Sequence, residues 1–145
     1  GPVPEGEYVI PLGVADVKRE GRDITIVALS SMVQVALGAA KLLEDVGISV
    51  EVVDPRTTWP LDEKTMIESV KKTSRCIVMD EGYARYGVAA ELAAVVAQGA
   101  FYHLDAPVSR LCAMHVPIPF SPSLEDVTVP TERQVVDLAM KLCGR

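Results

Sequence analysis

Three polar side chains follow one another at the end of an apolar run, Val50-Glu-Val-Val-Asp-Pro-Arg-Thr57: Asp54, Arg56 and Thr57. An acid, a permanent cation and a hydroxyl at this spacing suit two kinds of work. They could form a catalytic set, or a bidentate Arg–carboxylate pair that locks a corner. Catalysis needs a base or nucleophile of tuned pKa, and no His or Cys stands near these residues in the sequence. The structural reading is therefore taken: Asp54, Arg56 and Thr57 hold a loop.

A second polar group gathers in Asp80-Glu-Gly-Tyr-Ala-Arg-Tyr-Gly-Val-Ala-Ala-Glu91. Gly82 and Gly87 bracket Tyr83, Arg85 and Tyr86, with Glu91 just beyond. Two tyrosines and an arginine have the composition of an interface anchor, and a loop packed on its own domain is the alternative. Ser30-Ser31 could hold a small anion at a helix start, together with Arg85, although capping the helix is the simpler role. His103 and His115 are not spaced as a metal pair. Cys76, Cys112 and Cys143 are odd in number and contain no C-x-x-C, which indicates free thiols in a reducing compartment. Neither G-x-G-x-x-G nor G-x-x-x-x-G-K-[ST] occurs. Composition and spacing alone mark no active site.

These groups need elements to position them. Ile24–Leu29 is an apolar, β-branched run, as expected of a strand covered on both faces. Met32, Ala36, Ala39, Leu43 and Val46 then recur with helical period, and Gly47 stops the helix. Ile48–Val53 is a second strand, and Asp62 caps a helix carrying Met66, Ile67 and Val70. Arg75–Met79 is a third strand. A helix from Gly87 to Ala100 follows, with Val88, Leu92, Val95 and Val96 inward, and Val108–Cys112 is a fourth parallel strand. The Pro-rich stretch Val116–Pro122 crosses the surface. The last helix starts after Pro130 with Thr131 as cap and buries Val135, Leu138, Ala139 and Leu142. Asp16–Glu20 is expected to pair with the next strand across the turn Gly21-Arg-Asp23. Strands alternating with helices make βαβ units. The expected fold is α/β, a three-layer α/β/α sandwich with a mostly parallel sheet of about five strands.

Residues 1–2 read as a tag scar, residues 3–23 as an extended lead-in and first edge strand, and residues 24–145 as a single domain cut from a longer chain. With 49% hydrophobic and 23% charged residues over 145 positions, one core is well supplied. A formal charge of −6 argues against nucleic acid and anionic membranes and suits a basic protein partner. No apolar run approaches the ~20 residues that span a bilayer. A cytoplasmic location is expected, or the mitochondrial matrix in a eukaryote.

The motifs Asp54-Pro-Arg-Thr57, Pro60-Leu-Asp62, Ser69-Val-Lys-Lys-Thr73, Asp80-Glu-Gly82 and Gly87-Val-Ala-Ala-Glu91 occur in a characteristic order. Ala100-Phe-Tyr-His-Leu-Asp-Ala-Pro-Val108, Pro117-Ile-Pro-Phe120 and Leu124-Glu125 continue it. Together, from Tyr8 to the last helix, they resemble the C-terminal, transketolase-C-like domain of the β subunit of thiamine-diphosphate-dependent 2-oxoacid dehydrogenases. These are the E1 components of the pyruvate, branched-chain and acetoin types. Deoxyxylulose-phosphate synthase and transketolase share the fold and the Asp-x-Arg loop, and their equivalent domain is an alternative. A free-standing small-anion-binding module is another. One departure is Ala113-Met114-His115, where the family usually has Gly-x-Asp.

The resemblance implies that thiamine diphosphate and Mg2+ are bound by other domains of the full-length enzyme, and that no catalytic, cofactor-binding or metal-binding residue lies here. That enzyme oxidatively decarboxylates a 2-oxo acid, or cleaves acetoin, and passes the acyl group to lipoamide on E2. The isolated domain would be inactive. Its implied role is assembly with the E1 α subunit and a second β subunit in an α2β2 tetramer, and docking of the E2 subunit-binding domain. Glu125, Asp126, Glu132 and Asp137 are the candidate docking residues.

Overall fold

Every side chain of β2 (Ile24–Ala28) is buried, as a strand between two layers, apolar but for Thr25, requires. In the computed structural model, which describes residues 3–145, β2 lies at the centre of a five-stranded sheet of order β1-β3-β2-β4-β5. Gly1 and Pro2, expected to be a tag scar, lie outside the described residues. β3 (Val50–Asp54), β4 (Cys76–Tyr83) and β5 (Ser109–Ala113) run parallel to β2, and β1 (Asp16–Arg19) is an antiparallel edge.

α1 (Met32–Asp45) and α5 (Glu132–Leu142) cover one face, packing on Ile24, Ile26, Val52 and Ile77. α2 (Glu63–Thr73) and α3 (Val88–Gly99) cover the other, on Val27, Val53 and Val78. Phe101–His103 forms a 3-10 turn, and Pro122–Glu125 is a single helical turn, α4. The sandwich is the expected one. Asp62 caps α2 by accepting the Thr65 N–H, and Thr131 forms a capping box with Gln134 at the start of α5.

Several local readings change. β1 pairs with β3, Asp16 opposite Asp54, and not with β2. Gly21-Arg-Asp23 is therefore a crossing over the start of β3 and not a hairpin turn: the N–H groups of Arg22 and Asp23 both donate to Ser49 O. A Cβ on Gly21 would run into the backbone of Val50 and Glu51, so only glycine passes there. β4 continues through Asp80-Glu-Gly-Tyr83, past an irregularity in its pairing with β5. On α3 the buried residues are Ala89, Leu92 and Val96; Val88 is exposed and Val95 only half-buried. Leu138 and Leu142 of α5 are half-buried, leaving Val135 and Ala139 at its centre.

The face under α2 carries polar groups. Thr25 Oγ1 lies 2.7 Å from both Ser69 Oγ and Thr73 Oγ1, a closed hydroxyl set beneath the helix. Beside it Glu51, 2% exposed, ion-pairs with Lys72 and accepts the Gly21 N–H at 3.1 Å. Lys72 also reaches Glu20 at 2.8 Å, and its bonds to Glu20 and Glu51 raise its pKa. That contribution is complete below the ordinary value of 10.5 and is lost as pH climbs through the raised value of the folded state. Lys72→Met strands the Glu51 carboxylate. Because Lys72 is partly in solvent, the cost should fall at or below the usual range for breaking a buried pair, about 2–3 kcal/mol in chemical denaturation at neutral pH. Lys71→Met, which removes only an exposed pair with Glu68, should leave the midpoint unchanged.

Candidate functional site

The corner after β3 is tied both to itself, through backbone N–H groups, and to the lead-in, through its side chains. Asp54 Oδ1 accepts the Arg56 N–H at 2.9 Å, and Thr57 N donates to Pro55 O at 2.6 Å, with Arg56 in the left-handed region at φ 60°. The expected Asp54–Arg56 ion pair is not formed. Turning back on itself at Arg56, the chain sends the guanidinium across to Asp16 of β1, Nη2 to Oδ2 at 2.7 Å. Lys18 bonds the same Asp16 carboxylate at 2.7 Å and lies 3.8 Å from Asp54. The Lys18 hydrogen bond, against some burial and with help from Arg56, holds the Asp16 carboxyl below its ordinary value.

Thr57 works on both strands of this tie. Its hydroxyl donates to Pro60 O at 2.6 Å and accepts the Gly13 N–H at 3.2 Å. Asp62 accepts the Ala15 N–H at 3.0 Å as well as the N–H and hydroxyl of Thr65. Burial pushes its carboxyl up, but those three bonds outweigh it and the net shift is downward. Between lead-in and corner lies an open depression of about 760 Å³, lined by Leu12, Lys18, Leu29, Ser30, Asp54 and Arg56. Its one carboxylate, Asp54, and its two cations, Lys18 and Arg56, are answered by the backbone or by Asp16, and no imidazole or thiol lines it. This arrangement holds a loop; it offers no activated nucleophile.

In a sheet of this order the first strands leave β2 in opposite directions, so the ligand crevice would lie beyond the ends of β2 and β4. Ser30 there has φ 53°, and Ser31 stands at the N-cap of α1 without a side-chain bond to the helix N–H groups. The Ser31 hydroxyl donates instead to the Glu81 carboxylate. An anion at this helix start would face Glu81. Arg85 lines a separate depression with Tyr86, Ala90 and Arg110. The parts of the small-anion reading are therefore not brought together.

Tyr83 is half-buried: its ring meets His115 edge-on at 4.9 Å, and its hydroxyl donates to Val116 O at 2.8 Å. It holds the Met114-His115 loop of its own domain, the place where the family motif is altered. Arg85, Tyr86 and Glu91 are exposed, Tyr86 completely. Among the acids, Glu125 and Asp126 sit at α4 and Asp137 midway along α5, all exposed. Glu132 lies against Gly38 of α1, where a Cβ would strike its carboxylate. Five residues separate Glu132 from Asp137, which is about 140° around a helix, so these acids form no single patch.

A groove of about 890 Å³ along α3 was not foreseen, lined by Ala90, Ala93, Ala97, Phe101, Leu104 and Val108. Its signal lies in the alanine spacing, Ala90, Ala93 and Ala97, opposite the residues that reach the sheet. The thiols offer no chemistry. Burial pushes Cys76 up to about 12 and also raises Cys112 and Cys143. No cluster of three His, Cys, Asp or Glu suited to a metal occurs among the described residues.

Two outcomes follow from this geometry. Arg56→Ala should cost about 1 kcal/mol, a few degrees in Tm, measured by calorimetry. The stability conferred by Asp16 and Asp62 is complete above their ordinary value of 3.8 and drains away as the pH falls through their lowered folded values. Asp62→Asn should therefore lower stability at neutral pH and flatten its decline below pH 3.8, read from denaturation midpoints across a pH series.

Residues 13–135 match the family described as transketolase, C-terminal domain. The chain is 48% identical over 144 residues to the β subunit of acetoin:2,6-dichlorophenolindophenol oxidoreductase of Bacillus subtilis, covering 99% of this chain and 42% of that one. It is 40% identical to the mitochondrial pyruvate dehydrogenase E1 component subunit beta of Dictyostelium discoideum, covering 96% and 39%. It thus spans about two fifths of the length of these relatives. Among solved structures, a "split gene transketolase, inactive beta4 tetramer" superposes with a TM-score of 0.78 at 30% identity, covering 99% of this chain and 46% of the other. With the fold, the Asp54–Thr57 corner and the match over most of its length in agreement, the chain belongs to the transketolase C-terminal domain family.

Proposed function

We propose that the chain is the assembly domain of the β subunit of an E1-type dehydrogenase acting on a 2-oxo acid or acetoin. The observation that carries this reading is the end-to-end identity, 48% and 40%, with β subunits of both kinds. The chemistry of the described residues supports it. They present no carboxylate cluster for Mg2+, and the turn after β2 has no glycine to admit a diphosphate. In this reading thiamine diphosphate and Mg2+ belong to other parts of the full-length enzyme. That enzyme would decarboxylate a 2-oxo acid oxidatively, or cleave acetoin, and hand the acyl group to lipoamide on E2.

The domain's partners in this reading are the E1 α subunit, a second β subunit and the basic E2 subunit-binding domain. The solved relative titled a β4 tetramer supports contact between β chains. A charge of −6 suits the E2 partner, with Glu125, Asp126, Glu132 and Asp137 the exposed candidate acids to meet it. Cytoplasm or mitochondrial matrix is the matching location; no helix of the described residues is long and apolar enough to cross a membrane.

Co-expression with an E1 α subunit and the remainder of a β chain tests the proposal. The three pieces should elute together, and elution of this chain alone would overturn it. The isolated chain with thiamine diphosphate and Mg2+ should turn over neither pyruvate nor acetoin above a no-protein control.

A further inference from the structure

The register of β1 against β3 slips between Val17 and Arg19. Side chains alternate across a strand, and an irregularity of this kind re-aims those beyond it. Val17 packs on the α2–α3 face of the sheet, and simple alternation would send Arg19 there too. It reaches instead the α1 face, where Nη2 bonds the Glu44 carboxylate at 3.0 Å. The Arg19 side chain is only 25% exposed. Its Nε is shut off from water and has no acceptor among the described residues. Nε and Nη2 share one edge of the guanidinium, two parallel N–H groups of the kind that grip a carboxylate or phosphate. Glu44 uses half of that edge, and leaving a buried charged donor unpaired is costly.

A depression of about 210 Å³ opens here, at the amino ends of β2 and β3, lined by Arg19, Arg22, Glu44, Gly47, Ile48 and Ser49. The Arg22 backbone is fixed in place by its N–H, which donates to Ser49 O at 3.2 Å. Arg22 itself is exposed and bonds no carboxylate of the described residues. Gly47, at φ 75°, has no side chain to fill the space, and Arg145 Nη1 stands 3.4 Å from where its Cβ would be. The carbonyls that end α1 are already bonded, Val46 O by Arg145 and those of Leu43 and Glu44 by the N–H groups of residues 46–48. The negative end of the helix dipole is thereby answered. Of the nearby acids, the Asp23 carboxylate accepts the Ser49 N–H at 2.7 Å, Asp45 does not line the depression, and Glu44 is 67% exposed. Three arginines therefore gather at one place on a chain whose formal charge is −6.

Pockets for whole cofactors run to roughly 300–1,000 Å³, so this one suits a single oxyanion. One carboxylate would leave most of the positive charge unanswered, whereas a phosphate carries two charges and several acceptor oxygens. We infer, independently of the assembly reading, that the depression between Arg19, Arg22 and Ser49 binds a small phosphate dianion, which displaces Glu44 from Arg19. Displacement costs little, because an exposed carboxylate contributes little to an ion pair. The released Nε–Nη2 edge then grips two phosphate oxygens, Arg22 closes from the crossing, and the Ser49 hydroxyl can donate to the third.

The test is an NMR titration of the purified, isotope-labelled chain with sodium phosphate at neutral pH, sodium chloride holding the ionic strength constant. The amide signals of Arg22, Gly47 and Ser49 should move along one saturating curve with a Kd at or below about 1 mM. Arg22→Gln, a change at an exposed side chain, should leave Tm unaltered and weaken binding about tenfold. Arg19→Lys should weaken it as much, because lysine keeps the charge and loses the fork. Glu44→Gln should tighten it several-fold. Glycerol phosphate separates two sources of the same group: equal affinity supports a small phosphate ester as the ligand, and much weaker binding supports the free ion. Shifts that never saturate, an affinity unmoved by Arg22→Gln or loosened by Glu44→Gln, or acetate held as tightly as phosphate would each overturn the inference.

Discussion

A carboxylate with almost no route to water lies inside the sheet at Glu51, and the way the chain enters the fold is built around it. Removing such a charge from solvent costs several kcal/mol unless hydrogen bonds and a counter-charge answer it. Here the Gly21 N–H and Lys72 both do so. The first requires the lead-in to cross directly over the start of β3, where there is space only for glycine. Having crossed there, the residues before Gly21 can lie only along the outer side of β3. The antiparallel edge strand, its placement beyond β3 and the entry into β2 are thus one solution to one buried charge. Glu51 also fixes α2 to the sheet through Lys72, beside the Thr25–Ser69–Thr73 hydroxyls.

The α/β alternation is legible because it depends on local patterns. Ile24–Ala28 has no polar residue but Thr25, Asp62 and Thr131 are good caps, and Gly47 takes φ 75° at the end of α1. The partner of β1 is not legible, because four residues of mixed polarity carry no preference between β2 and β3; a side chain thirty positions away decides it. Likewise Arg56 has Asp54 two residues before it, and sequence proximity favours that pair. The left-handed turn at Arg56 leaves Asp54 its backbone N–H and carries the guanidinium to Asp16, forty residues upstream. The charged and glycine-bearing Asp80-Glu-Gly reads as a loop, yet pairing with β5 extends the strand through it.

The inward face of α3 differs from the expected one at Val88 and Val95 for another reason. Periodicity identifies apolar positions but cannot say which apolar face meets its own sheet when both faces are apolar. Val88 and Val95 followed the helical rhythm as well as Ala89 did; packing chose the small residue, since Ala89 and Val96 fit against the sheet.

The carboxyl ends of the strands, where sheets of this class ordinarily take ligands, are occupied by the chain's own polar contacts. Beyond β3, the Asp16, Lys18, Asp54 and Arg56 charges answer one another, and Thr57 and Asp62 bind the N–H groups of Gly13 and Ala15. Beyond β2 and β4, the Ser31 hydroxyl is held by Glu81. A ligand arriving at either place would have to displace satisfied hydrogen bonds and offer equal ones in return, which leaves little free energy for binding. Apolar surface on the flank carries less of that cost: covering the alanines of the α3 groove releases water from Ala90, Ala93 and Ala97, and only Asp105 and Arg110 at its ends are charged. The division is physical. Polar groups are used up in holding the carboxyl ends of the sheet and the lead-in rigid, and the apolar surface lies on the flank.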